Sequence, residues 1–139
     1  MCFVSALQAI VATTNMLIYS NMSQVLTPGD FLVYQLEAGF GLLRLLAADG
    51  EGDETVWHVC AYEDFYPDVD IAVAAITVKE PRKSIEHIAL TNRAFESTQV
   101  AKLLNLPISV QEKDLVEVWR SSDPGKVSDR SIRLLLGFR

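Results

Sequence analysis

The sequence predicts an α+β fold, in which a small curled antiparallel sheet of the SH3-like partial-barrel kind is joined by one or two helices from the C-terminal half. Between residues 31 and 62, three runs rich in β-branched and aromatic residues alternate with short glycine-containing loops, as in a meander. After residue 91, apolar residues recur at helical spacing. A chain of 139 residues, 50% of them hydrophobic, can bury one core, so residues 1–139 are expected to form one domain.

The meander begins after a turn. Pro28 and Gly29 in "TPGD" are typical turn residues, and "FLVYQL" then predicts the first strand. "EAGFG" predicts a hairpin turn or bulge before an antiparallel second strand, "LLRLLAA", in which Arg44 is the only charge. "TVWHVCAY" predicts a third strand with alternating faces. One face is expected to carry Val56, His58, Cys60 and Tyr62.

The second half mixes helices and strands. "DIAVAAI" at 70–76 fits a short helix or a buried strand, and its alanines and the capping capacity of Asp70 favour the helix. "SIEHIALT" predicts a strand, and "TNRAFESTQVAKLLN" predicts a helix that ends before Pro107. "VQEKDLVEVWR" predicts a further short helix with Leu115, Val118 and Trp119 facing inward. "SSDPGKVSD" predicts a turn, and "RSIRLLLGF" predicts a closing strand.

The first 24 residues carry no charge and contain all three methionines, Met1, Met16 and Met22. A secretory signal needs basic residues before its apolar core, and a membrane helix needs about 18 or more apolar residues without interruption. Neither pattern is present. We expect translation to begin at Met22 or Met16, with residues 1–22 a non-native or disordered leader. The alternative is an amphipathic helix that packs on the fold through Phe3, Leu7, Ile10 and Val11.

The charge of the chain favours a basic partner. The formal net charge is −6, and residues 49–70 contain eight carboxylates and no Lys or Arg. An acidic surface opposes binding to nucleic acid and to anionic membranes, so neither partner is expected. The two cysteines make no disulfide framework, which indicates a reducing, cytoplasmic setting.

Catalytic and metal-binding patterns are weak. His58 and Cys60 stand two residues apart on one predicted strand, about 7 Å by strand rise, which is loose for a catalytic pair. His58, Cys60 and His87 match no zinc spacing, and the acidic turn lacks the Gly and final Glu of a calcium loop. We therefore expect no catalytic residue, metal or cofactor. A hydrolase-like use of His58, Cys60 and a carboxylate is the minority alternative.

An acidic, aromatic turn follows the third strand, in "CAYEDFYPDVD". Carboxylates steer a basic protein and aromatic rings give rigid contact area, so this turn is the predicted partner-binding site. The alternative for the turn is that Phe65 and Tyr66 pack under the sheet edge. The alternative for the protein, also without catalysis, is a small-ligand-binding or structural module that uses the concave face of the sheet. The predicted contact residues are Tyr62, Glu63, Asp64, Phe65, Tyr66, Asp68 and Asp70.

The stretches "PGDFLVYQLEAGFGLLRLLA" and "CAYEDFYPDVDIAVAAI" resemble the immunity protein 26 family of bacterial polymorphic toxin systems, over roughly residues 28–76. The resemblance implies a cytoplasmic protein that neutralises a toxin domain by stoichiometric binding, without chemistry. Nuclease toxins are basic because they hold nucleic acid, which agrees with an acidic inhibitor. The matching positions are Gly29, Asp30, Phe31, Gly39, Phe40 and Gly41.

Overall fold

The computed structural model of the protein describes residues 25–122 and 125–137. The proposed leader and its alternative helix lie outside the described residues. The described part contains one antiparallel sheet, whose strands are β1 (Asp30–Leu36), β2 (Gly39–Asp49), β3 (Val56–Tyr62), β4 (Lys83–Thr91) and β5 (Ala101–Asn105). The helices are α1 (Val69–Val78), α2 (Asn92–Thr98), α3 (Val110–Ser121) and α4 (Ile132–Leu135), with a 3-10 turn at Gly52–Glu54. The predicted α+β class is confirmed.

The strand order is β4-β3-β2-β1-β5, so the sheet is open and is not closed into a barrel. The predicted meander is present: β1 pairs with β2, β2 with β3, and β3 with β4, all antiparallel. The β1–β2 hairpin is tight, with Leu36 opposite Gly39. Gly41 has to be a glycine because a Cβ there would overlap the ring of Tyr34.

Both faces of the sheet bury a core, because alternate residues of each strand point in opposite directions. Leu32 and Tyr34 of β1 pack on the face covered by α2 and α4, which we call the α2 face. Phe31 and Val33 pack on the opposite face, under α1 and α3, which we call the α3 face. The sheet is therefore the middle layer of three, and either face can support a site.

Side-chain caps fix where the helices begin. The Asp68 carboxylate accepts a hydrogen bond from Ile71 N at 3.0 Å and caps α1. Ser109 and Glu112 form a reciprocal capping box at the start of α3. These caps satisfy amide groups that have no partner within the helix. The helices predicted at 70–76 and 110–120 are confirmed. No helix within the described ranges has the length and apolar character needed to cross a bilayer.

Three details of the prediction were wrong. The helix expected over 91–105 ends at Thr98, because Gln99 adopts a left-handed conformation (φ 56°), and residues 101–105 form β5 on the free edge of β1. The expected closing strand is helical: Ser131 caps α4, which buries Ile132 in the α2-face core. On α3 the inward position is held by Val116, whereas Val118 is exposed.

A buried ion pair joins the sheet to α3. The Arg44 guanidinium donates to both carboxylate oxygens of Glu112, at 3.2 and 3.3 Å, and both side chains are buried. Arg44 also donates to the carbonyls of Leu106 and Pro107, and Lys83 donates to Glu112 at 3.1 Å. Burial raises the pKa of Glu112, but the Ser109 amide, Lys83 and Arg44 outweigh it and hold that pKa below its usual range. Glu112 is therefore ionised at neutral pH.

Replacing Glu112 with Ala should lower the free energy of unfolding by about 3–5 kcal/mol, because it leaves the buried Arg44 without its counter-charge. The matched control is Asp114→Ala, an exposed carboxylate on the same helix, for which we expect a change within about 0.5 kcal/mol. Urea unfolding followed by circular dichroism measures both. Equal losses for the two variants would contradict a central role for the ion pair.

The Tyr34 hydroxyl has no hydrogen-bond partner among the described residues, although the side chain is only 1% exposed. Tyr34→Phe removes this unpaired group and keeps the packed ring, so we expect unchanged stability or a gain of up to about 1 kcal/mol. The control is Tyr62→Phe, which removes a hydroxyl that donates to Glu80 at 3.1 Å and should cost about 1 kcal/mol. Thermal or urea unfolding measures the stability of both variants. If the Tyr34 hydroxyl had a hydrogen-bond partner, Tyr34→Phe would lose more stability than Tyr62→Phe.

Candidate functional site

The predicted partner-binding turn connects β3 to α1 and is anchored on the β1–β2 hairpin. Phe40 N donates to Tyr66 O at 2.7 Å, and Tyr66 N donates to Phe40 O at 2.9 Å, as in an antiparallel bridge. At the start of the turn, Glu63 N donates to Arg82 O at 2.8 Å. The backbone of the turn is thus held at both ends by main-chain hydrogen bonds.

The aromatic residues of the turn divide between core and surface. Tyr62 is 1% exposed and Tyr66 is 7% exposed, and both belong to the α3-face core. Neither is accessible as a partner contact, so these two residues are removed from the predicted site. Phe65 is 47% exposed. Of these two neighbouring rings, Tyr66 therefore packs inside and Phe65 lies at the surface.

All four predicted carboxylates of the turn region, Glu63, Asp64, Asp68 and Asp70, are exposed. Two of them have local partners: Glu63 pairs with Arg82 at 3.4 Å, and Asp68 caps α1. Within the described part of the chain, Asp64 and Asp70 form no ion pair. With Phe65, the four carboxylates form what we call the acidic turn surface.

A second cluster joins the two histidines, His58 and His87, to Asp49. His58 Nδ1 lies 2.9 Å from His87 Nε2, and His58 Nε2 lies 3.0 Å from the Asp49 carboxylate. Asp49 also accepts two hydrogen bonds from Arg120 of α3, at 3.1 and 2.6 Å. We call Asp49, His58 and His87 the histidine chain. It crosses three adjacent strands on the α3 face.

The hydrogen-bond network assigns the protons of the histidine chain. Hydrogen bonds from Arg120 hold the pKa of Asp49 below its usual range, so Asp49 is ionised and His58 Nε2 must carry a proton. Burial lowers the pKa of His58, so that ring is neutral and its Nδ1 accepts from His87 Nε2. Burial also lowers the pKa of His87 to about 4. His87 Nδ1 is then an unprotonated acceptor, and it has no hydrogen-bond partner among the described residues.

The histidine chain ends at a cleft between β4 and α3. Trp119 packs edge-on against His58, with ring centroids 4.6 Å apart, and places its indole beside His87. The cleft has a volume of about 470 Å³. Its lining residues are Glu86, His87, Leu115, Val118, Trp119, Ser122 and Lys126.

Cys60 takes no part in the histidine chain. It is buried in the α3-face core beside Tyr62, and burial raises the pKa of its thiol to about 11, so it carries no thiolate at neutral pH. His58 and His87 therefore come together, and no hydrogen bond joins Cys60 to either of them in the described ranges. Nor do those ranges contain a group of three His, Cys, Asp or Glu side chains that could hold a metal ion.

Sequence reasoning identified both histidines and missed Asp49, Trp119 and Arg120 as their neighbours. The missing information is strand register. His58 lies opposite Ala89 on β4, so His87 is its diagonal neighbour on the same face. The contact with Arg120 depends on where α3 crosses the sheet, which no local pattern indicates. The sequence could have indicated this cluster only through its two histidines, which lie on the same face of two predicted strands.

No protein-family model, curated protein or solved structure matches the chain. The resemblance to the immunity protein 26 family therefore stays a prediction that rests on the residues quoted for it.

The histidine chain should make folding stability depend on pH. An unfolded histidine binds its proton with a pKa near 6.5, whereas folded His87 does so only near 4, so stability is fully present above about pH 6.5 and falls as the pH is lowered toward 4. The groups that face the rings are Asp49, Arg120, Glu86 and Lys126. The chain has only two histidines, and few carboxylates titrate between pH 6.5 and 5, which isolates their contribution.

Urea unfolding at several pH values between 7.5 and 5 measures this dependence. His87→Gln, whose amide can still donate to His58, should show a flatter profile over the same range. A wild-type stability that rises as the pH falls from 6.5 to 5 would mean that the fold prefers a protonated histidine, and would contradict the proton assignment.

Proposed function

We propose that the protein is a cytoplasmic binding module that engages a basic protein partner through the acidic turn surface, stoichiometrically and without chemistry. The observation that carries the proposal is the division of the turn. Tyr66 is fixed in the core while the adjacent Phe65 lies exposed among four carboxylates. An exposed aromatic ring with acidic neighbours on a fixed backbone has the composition of a recognition patch.

The charge distribution supports a basic partner. Asp49 is neutralised by Arg120, whereas the formal charge of residues 63–70 is −4, with Arg82 the nearby cation. Carboxylates at the rim of an interface raise the association rate with a positively charged protein and disfavour acidic ones. A toxin domain that holds nucleic acid, as the family resemblance implies, is one such partner.

The rigidity of the turn supports binding at low entropic cost. Two hydrogen bonds to Phe40 hold Tyr66, and the Asp68 cap begins α1 three residues after Phe65. A loop that is already ordered loses less conformational freedom when a partner binds it. Phe65 therefore suits an anchor in the centre of the contact, and the carboxylates suit its rim.

The test uses two charge-reversal variants that change the net charge equally. Asp64→Lys with Asp70→Lys alters the proposed surface and leaves the Asp68 cap intact. The control, Glu51→Lys with Asp53→Lys, alters the exposed loop after β2, about 30 Å away by strand rise. Affinity purification from the host should recover one partner in a 1:1 ratio, and surface plasmon resonance with that purified partner then measures the association rate, the dissociation rate and the affinity.

We expect the turn variant to lower the association rate and its dependence on salt, and Phe65→Ala to weaken affinity by about tenfold or more through faster dissociation. The loop variant should bind as the wild type does. A loop variant that loses as much affinity as the turn variant, or an unaffected Phe65→Ala variant, would place the contact elsewhere.

A further inference from the structure

We propose that the cleft beside the histidine chain binds a small, uncharged, mainly apolar molecule with one hydrogen-bond donor, and that His87 Nδ1 accepts that hydrogen bond. The cleft shares no residue with the acidic turn surface. This second binding activity is therefore independent of the protein-binding function.

Two other polar side chains that line the cleft already donate hydrogen bonds to main-chain carbonyls. Trp119 Nε1 donates to Lys126 O at 2.6 Å, and the Ser122 hydroxyl donates to Val118 O at 3.0 Å. His87 Nε2 is engaged by His58. His87 Nδ1 is thus an acceptor without a protein partner among the described residues, and it lies beside the apolar walls of the cleft, whereas the charged Glu86 and Lys126 lie at exposed positions.

The walls favour an apolar body. Leu115, Val118 and Trp119 line the cleft, and Val118 is 67% exposed. Trp119 is supported from behind by Gly125, where a Cβ would come within 2.7 Å of the indole. Since Glu86 and Lys126 carry opposite charges, the cleft has no net formal charge from its lining and selects neither sign. A volume of about 470 Å³ is in the range of small-molecule sites.

The histidine chain explains why the acceptor is fixed in place. Arg120 holds Asp49, Asp49 holds His58, and His58 holds the ring of His87, each through hydrogen bonds of 2.6–3.1 Å. The histidine chain also fixes which nitrogen of His87 bears the proton. An acceptor whose orientation and tautomer are set before binding loses less conformational freedom when a donor binds. Its hydrogen bond therefore contributes more to affinity than one to a mobile side chain does. A base with so low an affinity for protons is poorly suited to proton abstraction at neutral pH, so we assign binding and not catalysis.

The probes are phenol and toluene, which have nearly the same shape and differ in the hydroxyl donor. Both are titrated into the full-length protein while amide shifts are followed by two-dimensional NMR. We expect shifts in residues 86–88, 115–122 and 126, and phenol to bind about three- to tenfold more tightly than toluene, as one net hydrogen bond predicts. In His87→Phe, phenol should fall to the affinity of toluene.

A pair of surface variants keeps the test decisive if His87→Phe fails to fold. Val118→Arg blocks the cleft, and Val110→Arg places the same side chain at a site of similar exposure (70%, against 67% for Val118) on the same helix, outside the cleft. Phenol binding should be lost in Val118→Arg and retained in Val110→Arg. Equal affinities for phenol and toluene, shifts away from the cleft, or equal behaviour of the two arginine variants would each overturn the proposal.

Discussion

The buried contact between Arg44 and Glu112 holds together parts of the fold that are distant in sequence. Arg44 lies in β2, the middle strand, and reaches three separate parts of the chain: the carbonyls at 106–107 that follow β5, Glu112 in the first turn of α3, and the ring of Phe31, 4.6 Å from its centroid. Glu112 in turn holds Lys83 at the start of the edge strand β4. One guanidinium thus connects the centre of the sheet, one edge and the helix above it.

A buried ion pair is a weak source of net stability, because removing two charges from water costs about as much as their attraction returns. Its effect here is geometric. A guanidinium with five donors in a fixed fork has few ways to be satisfied, and Arg44 is satisfied only when α3 begins where it does. An apolar residue in its place could pack with α3 in several registers. The position of α3 is consequently set at Glu112, and Trp119 and Arg120 follow about two helical turns later, over the histidines.

Local patterns predicted those features that local physics determines. Alternation in "TVWHVCAY" placed His58 and Cys60 on one face, and the apolar residues of "VQEKDLVEVWR" predicted α3. Prediction failed where two local preferences were similar and a distant contact decided between them. Residues 101–105 have good helix formers, but Gln99 turns the chain and the free edge of β1 offers main-chain hydrogen bonds. The same holds for "FY" at 65–66, where the bridge to Phe40 selects which ring is buried. The histidine chain needs both strand register and the position of α3, neither of which is encoded nearby in sequence.

The two candidate sites depend on different parts of this framework. The acidic turn surface is held by main-chain hydrogen bonds to Phe40 on the hairpin and by the Asp68 cap, which belong to β2 and to the start of α1. The cleft is formed by α3 against β4, and its acceptor is oriented through Arg120 of the same helix. Loss of the Arg44–Glu112 contact would make the position of α3 less well defined. Trp119, the wall of the cleft and the hydrogen bonds from Arg120 to Asp49 would be affected with it. The turn surface is anchored at the opposite end of β2 from Asp49. The proposed partner site at the turn and the proposed ligand site in the cleft can therefore be altered by separate substitutions.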